Sequence, residues 1–157
     1  MGKSKILVIV EGAKTDVNLM KRLLNIYGIS ETHKIISYNT NIYTLYNQLP
    51  NDYDEYEDFD LLQLLKEREI DQSKLDLLNE RYSDILLIFD LDPQDPQFKP
   101  EKIIKMAYYF TESTNMGKLY LNYPMVEAFY HMESIPDDKY NDYTVTLEVL
   151  KKKKYKQ

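Results

Sequence analysis

The stretch ILVIVEGAKTD, residues 6–16, carries the strongest structural signal in the chain. Its first five residues are apolar without interruption, which is typical of a strand buried on both faces of a parallel sheet. Glu11 and Gly12 follow, and residues 14–27 then show the spacing of an amphipathic helix. The first predicted unit is therefore a buried strand that ends in a carboxylate and turns at once into a helix.

A second buried strand is predicted at residues 84–89, DILLIF, and it also runs into acids. Asp90 and Asp92 follow it in the sequence IFDLD. Side chains alternate along an extended chain, so we expect these two carboxylates to point the same way and Leu91 to point into packing. Together with the first unit, this pattern places acids at the carboxyl ends of two strands.

Strands and helices alternate along the rest of the chain. We predict strands at 34–38 and 117–122, a further strand at 143–149, and helices at 40–48, 59–68, 73–81, 100–113 and 124–132. Such alternation indicates an α/β fold, a Rossmann-like and mainly parallel sheet flanked by helices. We expect a single domain over residues 1–157, with an acidic helical insertion at about 50–82 and a polar C-terminal extension at 133–157.

The insertion begins with NDYDEYEDFD, residues 51–60, which contains six acids and no base. We interpret it as the start of a solvated segment, with metal binding as the open alternative. The net charge of the whole chain is −6, although KKKKYK near the C-terminus contributes five lysines. Such an acidic body does not favour non-specific coating of nucleic acid.

The chain contains no cysteine and only two histidines, which excludes a cysteine-ligated metal site and disfavours a histidine-rich one. A divalent metal would need carboxylate ligands, which suit magnesium, manganese or calcium. The apolar run near the N-terminus is too short for a signal peptide or a membrane span. We therefore expect a cytoplasmic protein with no membrane partner.

Glu11, Asp90 and Asp92 are the central candidate residues. Ligands of open α/β sheets bind at the carboxyl ends of strands, and if the two strands are neighbours the three carboxylates converge there. Converging carboxylates repel one another unless a divalent cation lies among them, so we predict a site for Mg²⁺ or Mn²⁺. The alternative is local: Glu11 caps the helix, and the two aspartates form a turn before Pro93.

VIVEGAKTD followed by LLIFDLDPQD resembles the Toprim fold, the catalytic domain shared by topoisomerases, bacterial primases and overcoming-lysogenization-defect nucleases. In that family a glutamate follows the first strand, an Asp-x-Asp pair follows a later one, and both act through magnesium. The resemblance implies that Glu11, Asp90 and Asp92 are the catalytic and metal-binding residues. Nothing in this chain resembles a primase zinc domain or a topoisomerase tyrosine domain, which favours the nuclease branch.

A narrower resemblance covers most of residues 5–132. EGAKTD is similar to the EGxxTE of RloB-like and abortive-infection Toprim proteins, although Asp16 replaces their glutamate. LNYPMVEAFYH, residues 121–131, resembles their later Asn-Pro-x-x-Glu…His segment. The matching positions are Asn122, Pro124, Glu127 and His131.

Three further residues are candidates for catalysis. Glu127 and His131 are four apart and would share one face of the predicted helix, with Glu127, or Glu11 itself, as the base. The alternatives are an ordinary surface pair, or a histidine buried with one hydrogen bond. Lys14 could reach a phosphate from the first helical turn, or it is simply solvated. Thr15 and Asp16 are expected to cap or charge-balance that helix.

The resemblance implies a magnesium-dependent nuclease, or a related phosphoryl-transfer enzyme, that acts on DNA or RNA. It also implies a prokaryotic anti-phage (abortive-infection) system and a separate ATPase subunit as partner. One alternative is a catalytically silent Toprim-like module that binds an ATPase or nucleic acid. A receiver-type phosphoacceptor domain ranks lower, because Glu11-Gly12 lacks the paired acid that such domains need.

Overall fold

The computed structural model describes residues 4–51, 58–114 and 116–151, and its centre is one five-stranded sheet. The strands are β1 (Ile6–Val10), β2 (His33–Ser37), β3 (Asp84–Asp90), β4 (Thr111–Glu112) and β5 (Gly117–Asn122). Their order in the sheet is β2-β1-β3-β5-β4, and only the pairing of β4 with β5 is antiparallel. The predicted α/β fold with a mainly parallel, Rossmann-like sheet is confirmed.

Among the described residues, six α-helices flank or follow the strands: α1 (Thr15–Ile26), α2 (Ile42–Tyr46), α3 (Leu61–Arg68), α4 (Gln72–Leu78), α5 (Pro100–Tyr109) and α6 (Leu147–Lys151). Several begin at side chains that accept backbone N–H groups, as when Asp60 accepts from Gln63 at 3.0 Å. Pro100 occupies the first turn of α5, where its missing N–H costs nothing. No helix in the described part of the chain is long and apolar enough to cross a membrane.

The order in which the chain adds strands to the sheet reverses between β1 and β3. From β1 the chain moves to β2 on one side, and it later returns to β3 on the other side of β1. Both neighbours of β1 are parallel to it, so the carboxyl ends of all three strands lie at the same edge. Parallel sheets have their binding crevice where the strand order reverses, which here is between β1 and β3.

The main core lies on one face of the sheet. Leu7, Ile9, Leu87 and Phe89 are completely buried there, and side chains of α2, α3 and α5 pack against them. Alternation along β1 sends Val8 to the opposite face, on the side of α1. Helices therefore cover both faces of the sheet.

The segment predicted as a solvated insertion contributes to this core. Leu61 and Leu65 of α3 and Leu78 of α4 are buried in the main cluster. The helices of the predicted 50–82 insertion are therefore integral to the domain, because the apolar side of α3 packs against the sheet. Of the acidic stretch before them, residues 52–57 lie outside the described residues.

Two helix predictions need correction. The helix predicted at 100–113 ends at Tyr109, because Phe110 is buried and the next two residues pair with β5. The segment predicted as an α-helix at 124–132 is a 3₁₀ helix, Val126–His131. Met125 and Ala128, three residues apart, both enter a second small apolar cluster, and a spacing of three matches the 3₁₀ period.

The strand predicted at 143–149 is also wrong. The chain forms a 3₁₀ turn at Tyr140–Asp142 and the short helix α6 instead. Leu150 of α6 is buried in the same small cluster as Met125. Packing on that cluster, and not pairing with the sheet, determines the structure of the described part of the C-terminal extension.

Candidate metal centre

Glu11 and Asp90 meet at the reversal point of the sheet. Glu11 directly follows β1, and Asp90 is the last residue of the adjacent parallel strand β3. The Glu11 carboxylate accepts the backbone N–H of Asp90 with its Oε2 atom, at 3.0 Å. The predicted meeting of the two strand ends is confirmed.

Asp92 also lies beside Glu11 and Asp90, but it is positioned in a way that the sequence did not indicate. β3 ends at Asp90, and Asp92 has a left-handed backbone with φ of 45°. The N–H of Asp92 donates to the carbonyl of Pro124 at 2.9 Å. The N–H of Leu91 donates to the carbonyl of Asn122 at 3.0 Å. A turn tied to the segment after β5, and not strand alternation, therefore positions the second aspartate.

The three carboxylates form one cluster. Glu11, Asp90 and Asp92 each offer an oxygen, and these oxygens lie within 4.8 Å of one another. Glu11 and Asp92 are partly exposed, as predicted. Asp90 is only 6% exposed, so the expectation of partial exposure is wrong for this residue.

Burial and mutual repulsion raise the pKa values of two acids in this cluster. Burial raises the pKa of Glu11 to about 8, against a lowering effect of the Asp90 N–H, and the charges of Asp90, Asp92 and Asp16 raise it further. Burial likewise raises the pKa of Asp90 to about 7, and the neighbouring acids add to the effect. The predicted rise is confirmed, but burial causes more of it than repulsion.

This arrangement fits a divalent cation. Oxygens on opposite sides of a cation bound at 2.0–2.6 Å are about 4–5 Å apart, which agrees with the observed spacing. Carboxylates are the hard oxygen ligands that magnesium, manganese and calcium prefer. A group of acids that could hold a metal ion is shown, whereas the identity of the ion is not.

Asp16 is a fourth carboxylate beside the centre, and sequence reasoning missed it there. It lies in the first turn of α1, is only 7% exposed, and accepts the N–H of Gly12 at 2.5 Å. A Cβ atom on Gly12 would lie 3.0 Å from the nearest Asp16 oxygen. A larger residue at position 12 would therefore force the Asp16 carboxylate to shift. The sequence did contain a signal for this position: Asp16 lies four residues after Gly12 of the Glu-Gly pair that follows the strand.

Asn122 supports the centre from the other side. It is the last residue of β5, its register partner is Asp90, and its Nδ2 donates to Asp90 Oδ1 at 3.0 Å. This hydrogen bond lowers the pKa of Asp90 and so opposes the effect of burial. The position singled out by the resemblance thus lies in the site.

The remaining candidates lie in different surroundings. Glu127 is partly buried, and its charge contributes to the raised pKa of Asp90. His131 is exposed, as is Lys14 immediately before α1. Since a 3₁₀ helix turns by about 120° per residue, positions four apart do not share a face, and the predicted pairing of Glu127 with His131 on one helix face is wrong.

Neighbouring side chains hold the loop that follows β3. The buried Tyr43 donates its hydroxyl to the carbonyl of Leu91 at 2.5 Å. Gln94 donates to the carboxylate of Asp92 at 2.8 Å. Asp95 accepts from Asn41 at 3.3 Å, which links this loop to the start of α2. These bonds position Asp92 before any ligand arrives.

No family model, no curated protein and no solved structure matches this chain. The resemblance to Toprim proteins therefore rests on the motifs at Glu11, at Asp90 and Asp92, and at residues 121–131.

Proposed function

We propose that the chain is a divalent-cation-dependent phosphoryl-transfer enzyme of Toprim type, most specifically a nuclease. The observation that carries the proposal is the cluster of Glu11, Asp90 and Asp92, whose oxygens lie within 4.8 Å at the carboxyl ends of adjacent parallel strands. These are also the three positions to which the resemblance assigns catalysis. Mg²⁺ or Mn²⁺ is the proposed cofactor.

The residues around the cluster have separable roles. Glu11, Asp90 and Asp92 would hold the cation, while Asn122 fixes the orientation of the Asp90 carboxylate through its Oδ1 atom. When bound, the cation supplies charge stabilisation at the phosphate and lowers the pKa of a bound water. Glu11 itself is one candidate general base. Glu127 is the other candidate base.

The proposed substrate is nucleic acid, either DNA or RNA. An acidic protein with net charge −6 repels a polyanion, so the phosphate approach must depend on the cation more than on surface lysines. A role in anti-phage defence with a separate ATPase subunit follows from the resemblance and is part of the same proposal.

A non-catalytic binding module is the second candidate. Tyr120 in β5, Tyr123 directly after it and Tyr130 in the following 3₁₀ helix are all exposed, and exposed aromatic surface of this kind marks interaction sites. Such a module would keep the fold and the acids without turnover.

Cleavage assays distinguish the two. Purified protein is incubated with single- and double-stranded DNA and RNA in Mg²⁺, Mn²⁺ or EDTA. We expect metal-dependent cleavage that Glu11→Gln and Asp90→Asn abolish, because each change removes a ligand charge without changing side-chain size. Glu101→Gln and Asp76→Asn are exposed matched controls on α5 and α4 and should cleave normally.

Circular dichroism should show that all four variants are folded. Cleavage by Glu11→Gln and Asp90→Asn at the wild-type rate would refute the enzymatic proposal. Metal binding without cleavage of any substrate would favour the binding module.

A further inference from the structure

A wide groove adjoins the carboxylate centre beyond the end of β5. Its volume is about 1010 Å³, at the upper end of the range for ligand pockets. We call it the tyrosine groove, and its defining residues are Tyr123, Pro124, Glu133, Tyr140, Asp142 and Tyr143.

Residues in the wall of the groove are linked to the carboxylate centre through the backbone. Tyr123 immediately follows Asn122, which donates to Asp90. Pro124 lines the groove, and its carbonyl accepts the N–H of Asp92. The wall of the groove is therefore hydrogen-bonded to the backbone of Asp92, and its Tyr123 is next in the chain to the partner of Asp90.

Two tyrosine rings are available in the groove. Tyr123 is 61% exposed and Tyr143 is 39% exposed, although large aromatic side chains normally bury most of their surface. Tyr140 is fixed between them, since its hydroxyl donates to the carbonyl of Tyr123 at 3.2 Å. Its ring also lies edge-on to that of Tyr143, with centroids 6.0 Å apart. Tyr143 is itself hydrogen-bonded to Asp137, and a ligand can reach the exposed parts of the Tyr123 and Tyr143 rings.

The charge of the groove selects the kind of group that fits. Glu133 and Asp142 line it, and the described residues of its wall include neither lysine nor arginine. A phosphate is unfavourable among these acids. A flat, uncharged ring with N–H donors is favourable, since it can stack on tyrosine and donate to carboxylates.

We propose that the tyrosine groove holds an unpaired nucleobase next to the phosphate bound at the carboxylate centre, which makes single-stranded nucleic acid the preferred substrate. The proposal rests on the proposed function and names its substrate class. A base within a duplex is stacked on both faces and paired along its edge, so it cannot also stack on Tyr123 or Tyr143.

Binding of labelled oligonucleotides tests this without turnover. Fluorescence anisotropy at low salt, with Ca²⁺ present as a cation that takes the same oxygen ligands, compares a 20-nucleotide single strand with the matching duplex. We expect the single strand to bind more tightly, and Tyr123→Ala or Tyr143→Ala to weaken it by about 5- to 100-fold per stacked base. Tyr123→Phe should bind like the wild type, because the ring and not the hydroxyl makes the contact. Tyr108→Ala, a largely exposed tyrosine on α5, is the matched control.

The measurement separates this proposal from the proposed function. Absence of metal-dependent cleavage would refute the nuclease and leave the binding result intact. Unchanged affinity in both alanine variants, equal affinity for the duplex, or no binding of the single strand would overturn the groove proposal even if the protein cleaves. A groove that serves another macromolecule would give the same overturning result.

Discussion

Glu11 and Asp90 are joined by a hydrogen bond from the backbone N–H of Asp90 to the carboxylate of Glu11, at 3.0 Å, although they lie 79 positions apart in the chain. The bond links the ends of β1 and β3 where the strand order reverses, and it holds Glu11 next to Asp90. Since burial and mutual repulsion both disfavour the charged forms, the metal-free centre contains unfavourable charge that a cation would relieve.

The first prediction concerns stability and pH without metal. The folded-state pKa of Glu11 is raised from 4.5 to about 8 and that of Asp90 from 3.8 to about 7. Between about pH 4 and pH 8 the folded state therefore keeps protons that the unfolded state has lost, and the free energy of unfolding falls as pH rises through this window. Urea titrations in EDTA should show it.

Glu11→Gln should flatten this pH dependence, because glutamine has no proton to lose, and should raise stability at pH 8. Glu101→Gln, on the exposed surface of α5, should follow the wild-type curve. A wild-type protein whose stability rises steadily from pH 5 to pH 8 in EDTA would show that the raised pKa values are wrong.

The second prediction tests the contact of Gly12 with Asp16. Gly12→Ala would place a Cβ atom 3.0 Å from the Asp16 carboxylate, and we expect a loss of about 1–3 kcal/mol from overpacking. In an Asp16→Ala background the same change should cost less, by about 0.5–3 kcal/mol, because the obstructing carboxylate is gone. Denaturant unfolding of the four proteins measures this coupling, and strictly additive effects would exclude the contact.

The third prediction concerns Asn122. Its hydrogen bond to Asp90 lowers the pKa of that carboxyl group, so Asn122→Ala should raise it above about 7. A hydrogen bond to a charged group contributes about 1.5–3 kcal/mol, and the pH needed for half-maximal Mn²⁺ binding should therefore rise by about one to two units. Calorimetric titrations between pH 6 and pH 9 measure the change.

Asn79→Ala, at an exposed asparagine at the end of α4, is the control for this series and should leave the midpoint unchanged. If Asn122→Ala binds Mn²⁺ with the wild-type pH profile, Asn122 does not influence the centre.

The fourth prediction tests whether α3 belongs to the domain core. Leu65→Ala should destabilise the protein by about 2–5 kcal/mol, because it leaves a cavity against the sheet. Ile70 is 97% exposed just beyond α3, and Ile70→Ala should change stability by less than about 0.5 kcal/mol. Equal, small effects of the two changes in guanidinium unfolding would show that α3 is detached.

The sequence was sufficient for the sheet and for the position of its acids. Residues 6–10 and 85–89 are apolar throughout, and a parallel strand covered on both faces buries both sides of such a run. Parallel strands bring their carboxyl ends to one edge. Glu11 and Asp90 therefore had to lie near each other once β1 and β3 were adjacent.

Features that depend on distant packing were not predictable in this way. Asp92 is positioned by the carbonyl of Pro124, which is 32 residues away and on a segment predicted with the wrong kind of helix. In the sequence, Asp16 resembles an ordinary acid at the start of a helix. Its contact with Gly12 depends on the packing of α1. The leucines of α3 follow an acidic stretch, and the composition of that stretch concealed their role in the core.

The most direct test of the central claim is anomalous diffraction from crystals soaked in Mn²⁺. We expect a strong peak about 2.0–2.6 Å from carboxylate oxygens of Glu11, Asp90 and Asp92, and no peak there in crystals of Asp90→Asn. Well-diffracting wild-type crystals with Mn²⁺ bound only elsewhere, or with no peak among these three acids at millimolar Mn²⁺, would contradict it.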